Sequence, residues 1–270
     1  MSITETVFGQ LPAVRLTAPD GAEAIVTLYG AHLVSWKGAD GRERLFCSGA
    51  SVLDGSKAIR GGVPVIFPQF AEQGQGMRHG FARVSDWHLL DSGVEDGEAI
   101  ALFTLAEEDL KPEYARAWRH SFSLALRIGI KGNTLTMDLE VRNTGEDPMP
   151  FAAALHTYYA VEEIGQVRIS GVIADELSID GHVDQIYSNV GGEMAIETGA
   201  LTLQIAQTGF TDAVVWNPGA ADAAALSDMQ DDEYRKFVCV EPAVLKLVTL
   251  EEDEVWRGSY SVHPRAGGDL

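Results

Sequence analysis

Two side chains are candidates for acid–base chemistry because each lies in unusually apolar company. His156 lies in the run PFAAALHTYYAV, residues 150–161, and Glu241 follows the apolar residues FVCV, 237–240. A carboxylate after four apolar residues is costly to bury unless it is paired, so Glu241 either reaches solvent or faces a polar cleft. Unperturbed pKa values near ~6.5 for histidine and ~4.3 for glutamate make the carboxylate the ready base at neutral pH.

The sequence leaves other roles open for these two residues. A lone histidine in an apolar run is often a satisfied core residue, and Glu241 alone is equally compatible with a rim carboxylate that has no role. A carboxylate from Glu241 or from Asp184 would favour the imidazolium form of His156 and equip it as the acid. A nucleophilic pair of Cys239 and His156 is a further alternative, although nothing in the sequence around Cys239 activates its thiol.

Positive charge gathers in one segment of an otherwise acidic protein. The chain has 40 acidic and 20 basic residues and a formal net charge of −20, yet residues 55–90 hold four bases against two acids. Arg60, Arg78 and Arg83 are three of those bases, and His79 lies among them. Because salt screens charges over about 8 Å, a bound anion responds to this local excess more than to the distant acids. Solvated surface arginines are the plainer interpretation of any one of them.

Composition and motif content exclude several classes of protein. The acidic balance makes nucleic acid and anionic membrane surfaces poor partners. No apolar run approaches the ~18 residues of a membrane span, and the N-terminus lacks the pattern of a secretory signal. Cys47 and Cys239, the two cysteines, lie in apolar runs and are expected to be reduced thiols in a cytoplasmic protein.

The sequence has neither the histidine spacing typical of metal sites nor the glycine motifs typical of nucleotide cofactor sites. The seven histidines are scattered without ligand-like pairs, so we expect no metal, although three distant residues could still converge. Neither a phosphate-binding loop nor a dinucleotide-binding motif is present, and we expect no cofactor.

The elements that must position these residues are strands. Apolar and polar residues alternate in 119–130 and again in 135–142, and the turn KGN, 131–133, joins them as a β-hairpin. Only residues 219–229 have a helical pattern. The alternation recurs in residues 24–30, 32–38, 99–106, 201–207, 236–242 and 255–264. Many short strands without a linker or repeat predict an all-β fold, a large antiparallel β-sandwich in one domain spanning residues 1–270.

Strand parity makes a local prediction for the segment that ends in Glu241. Phe237, Cys239 and Glu241 are expected on one face of the strand, and the two valines between them on the other. Pro242 is expected to end the ladder at an edge or rim of the sheet. The tryptophans are assigned mostly to the core.

Six motifs, in order between residues 59 and 242, carry a resemblance that covers most of the chain, from about residue 10 to residue 263. They are IRGGVPVIFPQF, HGFARVSDW, LHTYY, DQIY, TDAVVWNP and VCVEP. Together they resemble the hexose-6-phosphate mutarotases, the glucose-6-phosphate 1-epimerase branch of the aldose 1-epimerase superfamily. The resemblance implies a β-sandwich of the galactose-mutarotase type. It also implies interconversion of the α and β anomers of a hexose 6-phosphate, with glucose 6-phosphate as the foremost substrate and neither metal nor cofactor. We expect the protein to act as a monomer on this small-molecule phosphosugar.

The resemblance also implies roles for individual residues. His156 would be the general acid and Glu241 the general base. Three arginines match or flank positions that bind the sugar phosphate, and two further residues would contact sugar hydroxyls. These five substrate-binding residues are Arg60, Arg78, Arg83, His79 and Asp184. Arg78 departs from the family, where glutamine is commoner at that position. Arginine suits a phosphate dianion because its forked donors match phosphate oxygens, and plain aldose 1-epimerases act on neutral sugars.

Two alternative functions remain open at this point. A non-catalytic carbohydrate-binding β-sandwich would keep the arginines and aromatic residues but would need neither His156 nor Glu241. A glycoside hydrolase would pair Glu241 with a second carboxylate, from Asp184 or Asp212.

Overall fold

The alternating segments form nineteen strands within residues 2–74 and 76–265, the part of the chain that the computed structural model describes. The first seven are β1 (Ser2–Phe8), β2 (Leu11–Thr17), β3 (Glu23–Thr27), β4 (His32–Lys37), β5 (Val65–Ile66), β6 (His88–Glu95) and β7 (Glu98–Ala106). The next six are β8 (Phe122–Lys131), β9 (Thr134–Asn143), β10 (Met149–Leu155), β11 (Tyr158–Ala160), β12 (Arg168–Ser170) and β13 (Leu177–Ser178). The last six are β14 (Val183–Ser188), β15 (Glu193–Glu197), β16 (Thr202–Thr208), β17 (Asp212–Asn217), β18 (Phe237–Leu250) and β19 (Val255–Pro264).

Helices are few and short in the described residues. The α-helices are α1 (Pro112–Ala117) and α2 (Gly219–Ala225), and the 3-10 helices are Ala82–Val84, Glu107–Asp109, Ile164–Gln166 and Glu233–Lys236. Helix α2 confirms the helical pattern but stops at Ala225 rather than at 229, because the serine and aspartate that follow favour turns over helix. Helix α1 was not predicted from the sequence. Its six residues are too few to display a period of 3.6, although Pro112 occupies its first turn as proline often does.

The strands build three antiparallel sheets. One has four strands in the order β1-β2-β3-β4, and a nine-stranded sheet has the order β13-β12-β15-β16-β19-β9-β8-β7-β6. The third sheet has the order β14-β17-β18-β10-β5, and β11 also pairs with β18. The predicted hairpin is confirmed as β8 and β9, whose register runs from Phe122 opposite Asn143 to Lys131 opposite Thr134.

The nine-stranded and six-stranded sheets pack face to face, as the predicted antiparallel β-sandwich requires. Phe151 of β10 meets Trp256 of β19 with ring centroids 5.7 Å apart. The ring centroids of Phe67, which follows β5, and Phe122 of β8 are likewise 5.4 Å apart. Buried residues of all three sheets belong to one continuous apolar cluster, which leaves the opposite face of the six-stranded sheet free to carry polar groups.

Pro242 does not end its strand, so that prediction was wrong. Strand β18 continues to Leu250 and is central, with β17 on one side and β10 and β11 on the other. The Thr211 amide donates to the Ala243 carbonyl on the β17 side. Alternation therefore turns the nitrogen of Pro242 to the opposite side, towards the interruption between β10 and β11. The missing N–H thus lies where the neighbouring ladder is already broken, which is where a central strand tolerates proline.

None of the helices in the described residues is both long and apolar enough to cross a membrane.

Candidate active site

The outer face of the six-stranded sheet carries the reactive side chains, and strand parity explains why. In β18, Val238 and Val240 are buried in the core between the sheets, whereas Cys239 and Glu241 point to the opposite face, as the sequence predicts. In β17, Val215 likewise packs into the core. The chain leaves β10 at Leu155 and enters β11 at Tyr158, and His156 lies in the gap between these two strands.

His156 and Glu241 meet on this face although 85 residues separate them in the sequence. The imidazole Nδ1 lies 3.3 Å from the Glu241 Oε1 atom, and the two side chains are 9% and 1% exposed. Among the described residues, that nitrogen and both carboxylate oxygens have no hydrogen-bond partner. Buried polar groups are normally paired, so these atoms are available to a ligand in the adjoining cavity.

Burial sets the protonation of the pair. It raises the pKa of Glu241 well above its usual range, and the nearby Asp184 carboxylate adds to that shift while Arg83 opposes it. Burial also lowers the pKa of His156 well below its usual range, assisted by His79, Arg83 and Arg60. Burial thus opposes the imidazolium form that a neighbouring carboxylate was expected to favour. Both shifts favour the neutral forms of the two side chains, a protonated carboxyl group and an uncharged imidazole.

Arg60 reaches the same site from the loop between β4 and β5. Its Nη1 donates to the Tyr158 hydroxyl at 3.1 Å, and its Nη2 lies 3.1 Å from the Asp228 carboxylate. The Tyr158 ring stacks on the His156 ring with centroids 4.9 Å apart and planes 11° from parallel. The guanidinium also lies 5.9 Å from the centre of the Trp216 ring. Carboxylate, hydroxyl and aromatic ring together fix the direction of the cation.

Arg83 is the second arginine at the site and differs from Arg60 in its partners. It is partly buried in the 3-10 helix Ala82–Val84, and its Nη2 donates to the Arg78 carbonyl at 2.8 Å. Its buried Nε has no partner, and no carboxylate of the described residues lies within the 4.0 Å of an ion pair. Burial, reinforced by Arg60 and Arg78, lowers the pKa of Arg83 to about 10. The Arg83 guanidinium is thus a partly buried cation with no carboxylate partner among the described residues.

Arg78 lies at the mouth of the cavity rather than inside it. Its side chain is 63% exposed, and its weak ion pair with Glu72 spans 3.9 Å. Of the three predicted arginines, it is therefore the one held least firmly.

His79 is positioned as a neutral hydrogen-bond donor. Its Nδ1 accepts a hydrogen bond from the Ala71 amide at 3.2 Å, which leaves the ring proton on Nε2. Burial, reinforced by Arg83, Arg78 and Arg60, lowers the pKa of His79 to about 3. Its ring lies 5.6 Å from that of His156.

A single cavity of about 310 Å³ brings all seven predicted site residues together. They are Arg60, Arg78, His79, Arg83, His156, Asp184 and Glu241. Asp184, on the edge strand β14, is exposed and opposes Trp216 of β17. Asp212 lines no part of this cavity and instead accepts a hydrogen bond from the Leu245 amide at 2.9 Å. It is therefore not the second carboxylate of a glycosidase pair.

Sequence reasoning missed three residues that line the cavity: Tyr158, Trp216 and Asp228. Tyr158 and Trp216 lie inside the motifs LHTYY and TDAVVWNP, so an aromatic residue two positions after a candidate acid was an available signal. Trp36 and Trp87 are buried core residues as expected, and Trp216 is the exception. Asp228 lies in an ordinary turn sequence after α2, and only the fold pairs it with Arg60.

The sequence profile of the aldose 1-epimerase family matches residues 12–181. The chain belongs to the aldose 1-epimerase family. Enzymes of this family interconvert the anomers of sugars, and membership of the family assigns this general activity to the chain.

Relatives of this aldose 1-epimerase cover most of its length. A Cenchrus ciliaris protein named "Putative glucose-6-phosphate 1-epimerase" is 34% identical over 293 residues, covering 92% of this chain and 88% of that protein. An Escherichia coli K12 protein of the same name is 35% identical over 243 residues, covering 82% and 79%.

Solved structures share the fold. A "putative mutarotase" from Salmonella typhimurium superposes with a TM-score of 0.88 at 27% identity, covering 97% of this chain and 94% of that one. A galactose mutarotase-like protein from Clostridium acetobutylicum has a TM-score of 0.76 at 17% identity, covering 98% of both chains. The predicted galactose-mutarotase type of β-sandwich is confirmed.

Proposed function

We propose that the protein interconverts the α and β anomers of a hexose 6-phosphate, with glucose 6-phosphate as the foremost substrate, by general acid–base opening and closure of the ring. The observation that most supports a phosphorylated substrate is the environment of Arg83, a partly buried cation without a carboxylate partner among the described residues. It lines the same cavity as His156 and Glu241. In a protein with a formal net charge of −20, such a cation is best explained by an anionic ligand. The printed names of the relatives support the same substrate.

The reaction begins at the anomeric carbon. Glu241 as carboxylate removes the proton of the anomeric hydroxyl while His156 as imidazolium gives a proton to the ring oxygen. The bond between C1 and the ring oxygen breaks, and C1 becomes an aldehyde. Rotation about the C1–C2 bond presents the other face of the carbonyl. Closure with the two roles reversed restores both protons and yields the other anomer.

The reaction needs Glu241 without its proton and His156 with an additional one, whereas burial favours the neutral form of each side chain. Substrate binding helps to move that proton to His156. Arg60 and Arg83 both lower the pKa of His156, whereas only Arg83 lowers that of Glu241. A phosphate dianion that compensates both arginines therefore raises the pKa of the imidazole through two neighbours and that of the carboxyl group through one.

The remaining side chains orient the sugar. The Nε2–H of His79 can donate to a hydroxyl, because its Nδ1 is already engaged by the Ala71 amide. The exposed Asp184 carboxylate accepts from hydroxyl groups at the rim of the cavity. Holding the sugar at both ends keeps C1 beside the acid–base pair, which is where orientation accelerates the reaction.

The deciding experiment measures anomer exchange by NMR for glucose 6-phosphate, with free glucose and galactose alongside. The proposal predicts acceleration for the phosphosugar and little for the free sugars. Acceleration for free sugars alone would overturn the phosphate assignment while keeping the acid–base chemistry. Binding without exchange of any sugar would leave only a carbohydrate-recognition module.

A further inference from the structure

Cys239 adjoins the acid–base pair and has no part in the proposed reaction. It lies on β18 two positions before Glu241, on the same face of the strand, and its side chain is fully buried. One donor atom from each of Cys239, His156 and Glu241 lies within 4.8 Å of the other two. Thiolate, imidazole and carboxylate are the three side-chain ligands that Zn²⁺ takes in proteins.

The spacing of the donors suits a tetrahedral ion. Two ligands bound to Zn²⁺ at about 2.0–2.1 Å lie roughly 3.3 Å apart, and the His156 Nδ1 and Glu241 Oε1 atoms are 3.3 Å apart. A sulfur bound at about 2.3 Å would lie roughly 3.5 Å from either of them, and the donor atoms of the three residues lie within 4.8 Å of one another. Adjustment of the side chains within the cluster has to close the remaining distance.

The donors are also free to bind. The Nδ1 of His156 and both oxygens of Glu241 are buried without a hydrogen-bond partner among the described residues. His156 and Glu241 both line the cavity, so three protein ligands leave the fourth position of the ion open towards it. Three protein ligands with an open position are the pattern of an accessible zinc site rather than a closed structural one.

We propose that Cys239, His156 and Glu241 form a binding site for Zn²⁺ or a similar thiophilic divalent cation, and that the bound ion inhibits the enzyme. Binding converts the Cys239 thiol to a thiolate and releases its proton to solvent, together with the proton of the Glu241 carboxyl group. Inhibition follows because the ion occupies the acid and the base at once. This inhibition rests on the proposed function, but metal binding does not. The three arginines that line the cavity repel a cation, so we expect weaker binding than at structural zinc sites.

The test uses Co²⁺ as a spectroscopic probe in the full-length, reduced protein without sugar or phosphate. Wild type is expected to bind one Co²⁺ at this site and to develop a thiolate-to-cobalt charge-transfer band in the near ultraviolet. Cys239→Ser should abolish that band. Cys47→Ser is the matched control, because Cys47 is the only other cysteine of the chain and lies outside the cluster, and it should keep the band. Circular dichroism of each variant confirms folding, and Cys239→Ala is the second variant if serine disturbs it.

Absence of a charge-transfer band in the wild type, or a band that survives in Cys239→Ser, overturns the site. Zn²⁺ should inhibit anomer exchange of the wild type, a chelator should restore it, and the inhibitory concentration should rise at least tenfold in Cys239→Ser. Equal inhibition of wild type and Cys239→Ser overturns the inhibitory role. A cobalt band in a protein that exchanges no sugar would overturn the proposed function and its inhibition while keeping the metal site.

Discussion

Tyr158 links the proposed anion-binding part of the site to its proposed acid–base part. Its hydroxyl accepts a hydrogen bond from Arg60, and its ring stacks on His156. A phosphate bound to Arg60 therefore lies one side chain away from the proposed acid. Tyr158 would therefore position both the arginine that binds the far end of the sugar and the histidine that protonates its ring oxygen.

Replacing Glu241 with glutamine removes the proposed base while keeping its shape. We expect turnover to fall about 10²–10⁴-fold with little change in KM, because an amide binds hydroxyl groups but takes up no proton. Anomer exchange of glucose 6-phosphate, followed by NMR over a range of concentrations, separates the two parameters. Glu193→Gln, at an exposed position on β15, is the control and should behave as wild type. Turnover near the wild-type value in Glu241→Gln would show that another group is the base.

Arg83 and Arg78 allow a matched comparison of two variants that tests where the phosphate binds. Arg83→Met removes a cation without a carboxylate partner, and we expect KM for the phosphosugar to rise about 10- to 150-fold, the loss of a charge-assisted hydrogen bond. Arg78→Met removes an arginine that is 63% exposed and should change KM less than about fivefold. Steady-state rates of both variants give the comparison. Equal effects would mean that the phosphate sits at the rim.

At the scale of elements, strands supply the chemistry and loops supply the charge. His156, Tyr158 and Glu241 come from the strands of the six-stranded sheet and from the gap between β10 and β11. Arg60 and Arg83 come from the irregular chain between β4 and β6. That chain is held by specific contacts. One of them is the His32 Nε2, which donates to the Gly61 carbonyl at 2.7 Å, directly beside Arg60.

Stability at mildly acidic pH should report on His32. Burial, assisted by Arg83 and opposed by the Gly61 hydrogen bond, lowers its pKa to about 4. The unfolded chain, with a histidine pKa near ~6.5, therefore binds more protons between these two values. The contribution of neutral His32 to the free energy of unfolding is complete above pH ~6.5. As the pH is lowered from there towards about 4, this contribution decreases by about 1.4 kcal/mol per pH unit, or roughly 3 kcal/mol in all.

The measurement is urea unfolding of wild type and His32→Gln at pH values between 4 and 7. Glutamine keeps a donor for the Gly61 carbonyl but does not titrate, so its curve of unfolding free energy against pH should be flatter. Other buried histidines contribute equally to both proteins and cancel in the difference. Parallel curves would contradict the role given to His32.

Local sequence determines the strands better than it determines the site. Alternation predicted the hairpin of β8 and β9 and the face shared by Cys239 and Glu241, because both follow from the two-residue period of a strand. The pairing of Arg60 with Asp228 joins residues 168 apart, and no local pattern encodes it. Pro242 was misjudged for the same reason, since its place in a central strand depends on where a distant neighbour is interrupted.

At the scale of the whole molecule, one apolar cluster ties the three sheets together. Its members run from Val14 in β2 to Val262 in β19, and they include Leu126 of the nine-stranded sheet and Val240 of the six-stranded sheet. The sequence predicts one domain spanning residues 1–270, and a shared core is what a single folding unit requires.

A single cooperative transition is therefore expected on unfolding. The five tryptophans are distributed over the chain, and Trp36, Trp216 and Trp256 lie in three different sheets. Urea curves followed by tryptophan fluorescence and by far-ultraviolet circular dichroism should coincide. Two separated transitions would divide the chain into independent domains.

The division between strands and loops has a consequence for how such an enzyme diversifies. The proposed acid–base pair would act on C1 and the ring oxygen, atoms common to all aldoses, and it lies on the outer face of the six-stranded sheet. The arginines that we propose to bind the phosphate at the opposite end of the sugar are carried by the chain between β4 and β6. Exchanging that one stretch would redirect the catalyst to sugars with another terminal group, while the machinery for ring opening is inherited unchanged.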